Sequence, residues 1–164
     1  MTVVAPLADL SAFLTASPTP YHVVAEAGRR LAAAGFTEQV ETAPWSRDPG
    51  GRWLVRDGTL LAWWQRAEPA PLRIFAAHTD SPTLKVKPHP DAGTAGWRQV
   101  AVEVYGGALW NSWLDRDLGL AGRLARYDGS SALVDVHRPL LRVPQLAIHL
   151  DRAVNQGLTL DPQQ

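Results

Sequence analysis

The stretch Leu72-Arg73-Ile74-Phe75-Ala76-Ala77-His78-Thr79-Asp80-Ser81-Pro82 decides how the rest of this sequence is read. A short apolar run follows a loop holding Pro69 and Pro71 and leads straight into His-Thr-Asp. Such a run, bounded by turn residues, predicts a buried central strand. His78 then stands at the C-terminal end of that strand, where open α/β sheets gather their functional groups. Neutral imidazole is a common zinc ligand. Asp80 lies two residues on, so on extended backbone it shares a face with His78 and is placed to orient the ring. The same residues also read as a plain turn, with Asp80 and Ser81 capping backbone groups and His78 simply packed.

Upstream of this run the pattern is helical and then extended. Leu7, Leu10, Phe13 and Leu14 outline a first helix that stops before Ser17-Pro18-Thr19-Pro20, because proline disfavours helix in the residue before it. Thr19 as N-cap and Pro20 at the first helical position open a second helix. Val23, Val24, Ala27 and Leu31 follow at helical spacing, and Gly35 marks the end. Trp53 to Arg56 and Thr59 to Trp64 flank Asp57-Gly58, the signature of a two-residue hairpin. Downstream, strands are expected at Thr83 to Val86, Val100 to Tyr105, Ala121 to Tyr127 and Leu133 to Val136, with a turn at Gly106-Gly107. A helix or strand is expected around Leu146 to Val154. The small polar residues Asp128-Gly129-Ser130-Ser131 read as a turn or a domain boundary.

Composition narrows the function. The 164 residues carry sixteen Lys plus Arg against sixteen Asp plus Glu, a net charge of zero. No excess of cations exists to meet nucleic-acid phosphates or an acidic membrane surface. With no Cys, disulfide scaffolds, thiolate zinc sites and Cys nucleophiles are excluded. The apolar runs are too short for a membrane-spanning helix, and the N-terminus lacks a basic leader region. A hydrophobic content of 46% argues against disorder. A soluble, cytoplasmic globular protein is expected. Sequences for a serine-hydrolase elbow, a dinucleotide fingerprint, a phosphate loop or an HExxH helix are all absent.

Other residues carry two readings each. His149, in Leu146-Ala147-Ile148-His149-Leu150, is a ligand or a satisfied core or surface histidine. Asp115-Arg116-Asp117 serves a metal or clamps a loop, and Arg geometry favours the clamp. Lys85 and Lys87 face an acidic substrate or merely solvent. His22, His89 and His137 have weaker claims to a role, and His89 and His137 sit beside charged or Pro-rich loop residues where solvated histidines are common.

Five segments together resemble the M18 family of metalloaminopeptidases, the aspartyl aminopeptidases. They are Ser17 to His22, Ala77 to Pro82, Tyr105 to Gly107, Ser112 to Arg123, and Arg138-Pro139 through Leu150, all in the family's order. The resemblance implies a zinc-dependent enzyme that releases N-terminal, often acidic, residues from peptides. It implies the N-terminal part of a mixed α/β zinc-exopeptidase domain over residues 1–130. The beginning of an inserted β-rich oligomerisation domain would follow over 131–164. His78 matches the family's first zinc-binding His and Asp80 the Asp that orients it. His149 matches a second motif His, as a metal ligand or as a substrate contact reaching a neighbouring subunit.

Two zinc ions, peptide substrates and a homo-oligomer follow from the same resemblance. So do further carboxylate ligands, a Glu base and a last His from a C-terminal part beyond Gln164. On this reading the 164 residues alone are catalytically silent. A non-catalytic piece that acts only through oligomer contacts is the alternative.

Overall fold

A computed structural model describes residues 4–161. The chain is mixed α/β, with two helices ahead of seven strands in the described residues. It divides into two compact units, residues 1–80 with 120–136, and residues 81–119 with 137–164.

In the first unit, α1 (Val4–Thr15) and α2 (Pro20–Ala33) form where the apolar spacing places them. Thr19 caps α2, its hydroxyl oxygen accepting the His22 N–H at 3.4 Å, and Pro20 opens the helix. At the other end Gly35 takes a left-handed φ of 83°. The Gly35 N–H bonds the Ala32 carbonyl and the Phe36 N–H bonds the Leu31 carbonyl, which ends the helix in a Schellman motif. The two helices are joined through Arg30, which donates to Asp9 at 2.8 Å and to Glu26 at 2.7 Å and lies over the Phe13 ring.

Behind α2 lies a three-stranded sheet in the order β1–β2–β3. β1 (Thr37–Glu38) runs parallel to β2 (Gly50–Arg56), and β2 pairs antiparallel with β3 (Thr59–Gln65). Arg56 faces Thr59, so Asp57-Gly58 is the predicted two-residue turn, with Asp57 at a φ of 53°. Val24, 3% exposed, and Gly28 are the buried residues of α2. A Cβ at Gly28 would come within 2.7 Å of the Trp53 ring, so this glycine lets the helix lie directly on the indole.

The predicted strand at Leu72 to Ala77 does not form. Residues 66–82 carry no helix or strand, and Leu72, Ile74 and Phe75 are 88, 82 and 95% exposed. A central strand needs a hydrogen-bonded neighbour on each side. The described residues offer this run none.

The second unit holds β4 (Thr83–Thr94) and β5 (Trp97–Tyr105), paired antiparallel from Thr83↔Tyr105 to Thr94↔Trp97. Pairing breaks between Val86 and Asp91, where Pro88 and Pro90 have no N–H to give the ladder. Lys85 faces Glu103 across the pair. A 3-10 helix (Trp110–Trp113) follows. The expected element around Leu146 to Val154 is a series of turns, opened by the Leu150 N–H on the Ala147 carbonyl.

β6 (Leu118–Ala125) and β7 (Ser131–Leu141) pair as a two-stranded sheet across the turn at Asp128-Gly129. The expected change of unit at 130/131 therefore falls in the turn of this pair. The compact units change after Asp80, Gly119 and Val136. Backbone pairing across the turn carries Ser131 to Val136 into the same unit as Ala121 to Ala125.

The chain exposes 13521 Å². A folded monomer of this mass exposes roughly 8,000 Å², and two separate folded halves roughly 9,700 Å². No helix among the described residues is long and apolar enough to cross a membrane.

Candidate metal centre

His78, Thr79 and Asp80 close the first unit. The Thr79 hydroxyl donates to the Gly58 carbonyl at 2.8 Å, fastening the segment to the β2–β3 turn. On one side of Thr79, the His78 ring places Nδ1 2.8 Å from the Asp80 carbonyl oxygen and 3.1 Å from Asp80 Oδ1. Both oxygens are acceptors, so in the neutral ring Nδ1 carries the hydrogen and Nε2 keeps its lone pair. The His78 side chain is 80% exposed. The expected Asp80–His78 pairing is thus present, although the strand expected to deliver it is not.

A ring nitrogen held by a carboxylate with the other left basic suits a zinc ligand. Catalytic zinc takes three protein donors, however. Among the described residues no group of three or more His, Asp or Glu side chains is gathered to hold a metal. The residues present fit one ligand and its orienting partner, not a complete centre, and no chemical step through zinc is derived from them.

His149 lies in the second unit, exposed, within the turns that follow Ala147. Asp115 and Asp117 clamp a loop as expected, but through Arg142 and backbone groups, while Arg116 donates to the Ser112 carbonyl. Asp115 Oδ1 accepts the Gln145 N–H at 3.2 Å, the Asp115 N–H donates to the Val143 carbonyl, and Arg142 donates to Asp117 at 2.5 Å. The clamp ties the segment after the 3-10 helix to residues 142–145. Lys85 sets its ammonium 5.9 Å from the Tyr105 ring centroid. His22 Nδ1 lies 2.7 Å from the Thr19 hydroxyl, a local cap contact.

Arg123, Tyr21 and Thr79 carry no individual signal in the sequence, and Asp57 only that of a turn residue. Arg123 donates to Asp57 at 2.6 Å and stacks 4.1 Å from the Tyr21 ring centroid. Asp57 and its hydrogen bond hold the guanidinium more firmly protonated than usual. A cleft of about 370 Å³ is bordered by Tyr21, Trp53, Asp57 and Arg123, but His78 and Asp80 are not in its wall.

The mixed α/β fold and an Asp-held imidazole are compatible with part of a metal-dependent hydrolase. The sequence model of a family described as aminopeptidase I zinc metalloprotease (M18) matches residues 13–164, and the chain belongs to that M18 family. It is 62% identical over 159 residues to a probable M18 family aminopeptidase 2 of Streptomyces coelicolor, covering 94% of this chain and 37% of that relative. The chain therefore spans little more than a third of the length of the relative it matches. Among solved structures, it resembles Ape4 in a complex with Nbr1, with a TM-score of 0.83 and 39% identity over 93% of this chain and 31% of that one. It also resembles the S. cerevisiae mApe1 dodecamer, with a TM-score of 0.67 and 34% identity over 84% of this chain and 35% of that one.

Proposed function

We propose that this chain is the N-terminal portion of a zinc-dependent aminopeptidase that releases N-terminal, often acidic, residues from peptides. The observation that carries the reading is the His78 ring, bound through Nδ1 by Asp80 with Nε2 left as a donor. In this proposal His78 is a ligand of one of two zinc ions and Asp80 fixes its tautomer and orientation. His149 serves as a ligand or as a substrate contact in a neighbouring subunit. Zinc, when bound, would supply Lewis acidity and an acidified water. The remaining ligands and the general base lie outside these 164 residues. The inserted oligomerisation domain, a homo-oligomer and a cytoplasmic location belong to the same proposal. The dodecamer of the yeast relative supports the oligomer.

A second reading is a non-catalytic piece that acts by docking to other subunits, with the dodecamer of the yeast relative in its favour. The test is incubation of the purified 164-residue chain with zinc or cobalt and an Asp- or Glu-anilide substrate. No turnover is expected. Turnover abolished by His78→Ala would mean that a complete site forms from this chain, and the reading of it as incomplete would fail.

A further inference from the structure

We propose that Thr79 is a positioning residue, and that the clamped β2–β3 turn is the seat on which it holds the His78–Asp80 pair. The inference rests on the reading of His78 as a metal ligand and adds what keeps that ligand in place. His78 and Asp80 sit in a segment without regular structure, so no ladder of backbone hydrogen bonds fixes them. The ring is 80% exposed, so packing does not fix it either. The Thr79 hydroxyl bond to the Gly58 carbonyl ties the middle residue of the three to a rigid element. With Thr79 anchored, the residues on either side turn toward each other, and the Asp80 carbonyl and carboxylate both reach Nδ1.

The seat is itself braced. Asp57, the residue before Gly58, is held in a left-handed conformation and takes a hydrogen bond from Arg123, 66 residues away. Arg123 lies against Tyr21 in the first turn of α2. A Cβ at Gly58 would meet Pro20 Cβ at 3.1 Å, so the turn abuts the start of α2. The chain of support runs from α2 and β6 through Arg123, Asp57 and Gly58 to Thr79, and every member belongs to the first unit.

The experiment records the tautomer of His78 by long-range proton–nitrogen NMR on the nitrogen-15 histidine-labelled 164-residue chain at one neutral pH, with His78→Gln for assignment. In the parent chain the Nδ1–H form is expected. Thr79→Val should lose it, the two ring-nitrogen signals moving together toward the averaged position of a free imidazole. Thr79→Ser, which keeps the hydroxyl, should restore the parent pattern. Arg123→Met, which leaves the segment untouched, should shift the signals part of the way in the same direction. A thermal melt accompanies each variant. If Thr79→Val does not fold, the comparison rests on Thr79→Ser and Arg123→Met.

A parent-like tautomer in Thr79→Val or, where that variant does not fold, in Arg123→Met overturns the proposal. So does an averaged tautomer in the parent chain. Excess zinc added to the parent chain probes the reading beneath. Perturbation confined to Nε2 supports both. The described residues offer zinc one ligand, so weak binding is expected; zinc that perturbs Nδ1 in place of Nε2 overturns the metal reading and leaves the positioning geometry standing.

Discussion

Residues 50–65 and residues 72–77 are both rich in strand-forming side chains, yet only the first region is a sheet. In the β2–β3 hairpin each residue from Gly50 to Arg56 has a partner between Thr59 and Gln65, and α2 covers one side through Val24 and Gly28. The Leu72–Ala77 run is the more apolar of the two and has neither a ladder nor a cover. The difference teaches that hydrophobic character nominates a strand while neighbours realise it. A hairpin brings its own neighbour within two residues, whereas a central strand waits for partners from distant sequence.

The largest effect that would break this contrast concerns Trp53. Trp53→Ala should remove about 3 kcal/mol of stability, read from the urea midpoint, because the indole fills the space against Gly28. Phe75→Ala should change stability by no more than about 0.5 kcal/mol, as for other solvated side chains. Equal losses from the two would mean that the run is packed in solution and that the contrast is unsound.

A smaller effect sharpens the hairpin side. Thr19→Ala removes the cap that starts α2 and should lower stability by about 1 kcal/mol, with helical circular dichroism falling in parallel.

The smallest is a pH effect on the same helix. Hydrogen bonds from Arg29 and then Arg30 lower the Glu26 carboxyl from its ordinary 4.5 to about 2. A depressed carboxyl stabilises the fold above its unfolded value and loses that contribution as pH falls toward the folded value. The urea midpoint should therefore decline between pH 4.5 and 2, and Glu26→Gln should flatten part of that decline.

Local signals in the sequence were legible because their partners lie close by. Thr19, Pro20 and Gly35 mark both ends of α2, and Asp57-Gly58 marks a turn whose strands adjoin it. The Asp80–His78 pair was legible for the same reason, being two residues apart. What could not be read were facts set by distant chain: the missing neighbours of Leu72 to Ala77, the pairing of Arg123 with Asp57, and Gly28 as a seat for Trp53. The turn at Asp128-Gly129 was ambiguous for a related reason. A turn of small polar residues looks the same whether it separates units or joins two paired strands.

The bare run ahead of His78 also governs how the chain behaves in company with its copies. A strand-forming segment held in water is a template on which identical segments stack through their backbones. Pro69 and Pro71 immediately before it have no N–H to offer a neighbour, and Arg73 sets a charge inside the apolar stretch. Copies stacked in register would bring one Arg73 guanidinium against the next, every 4.7 Å or so along a growing fibril. Wherever this run lies bare, Pro69, Pro71 and Arg73 would oppose such stacking.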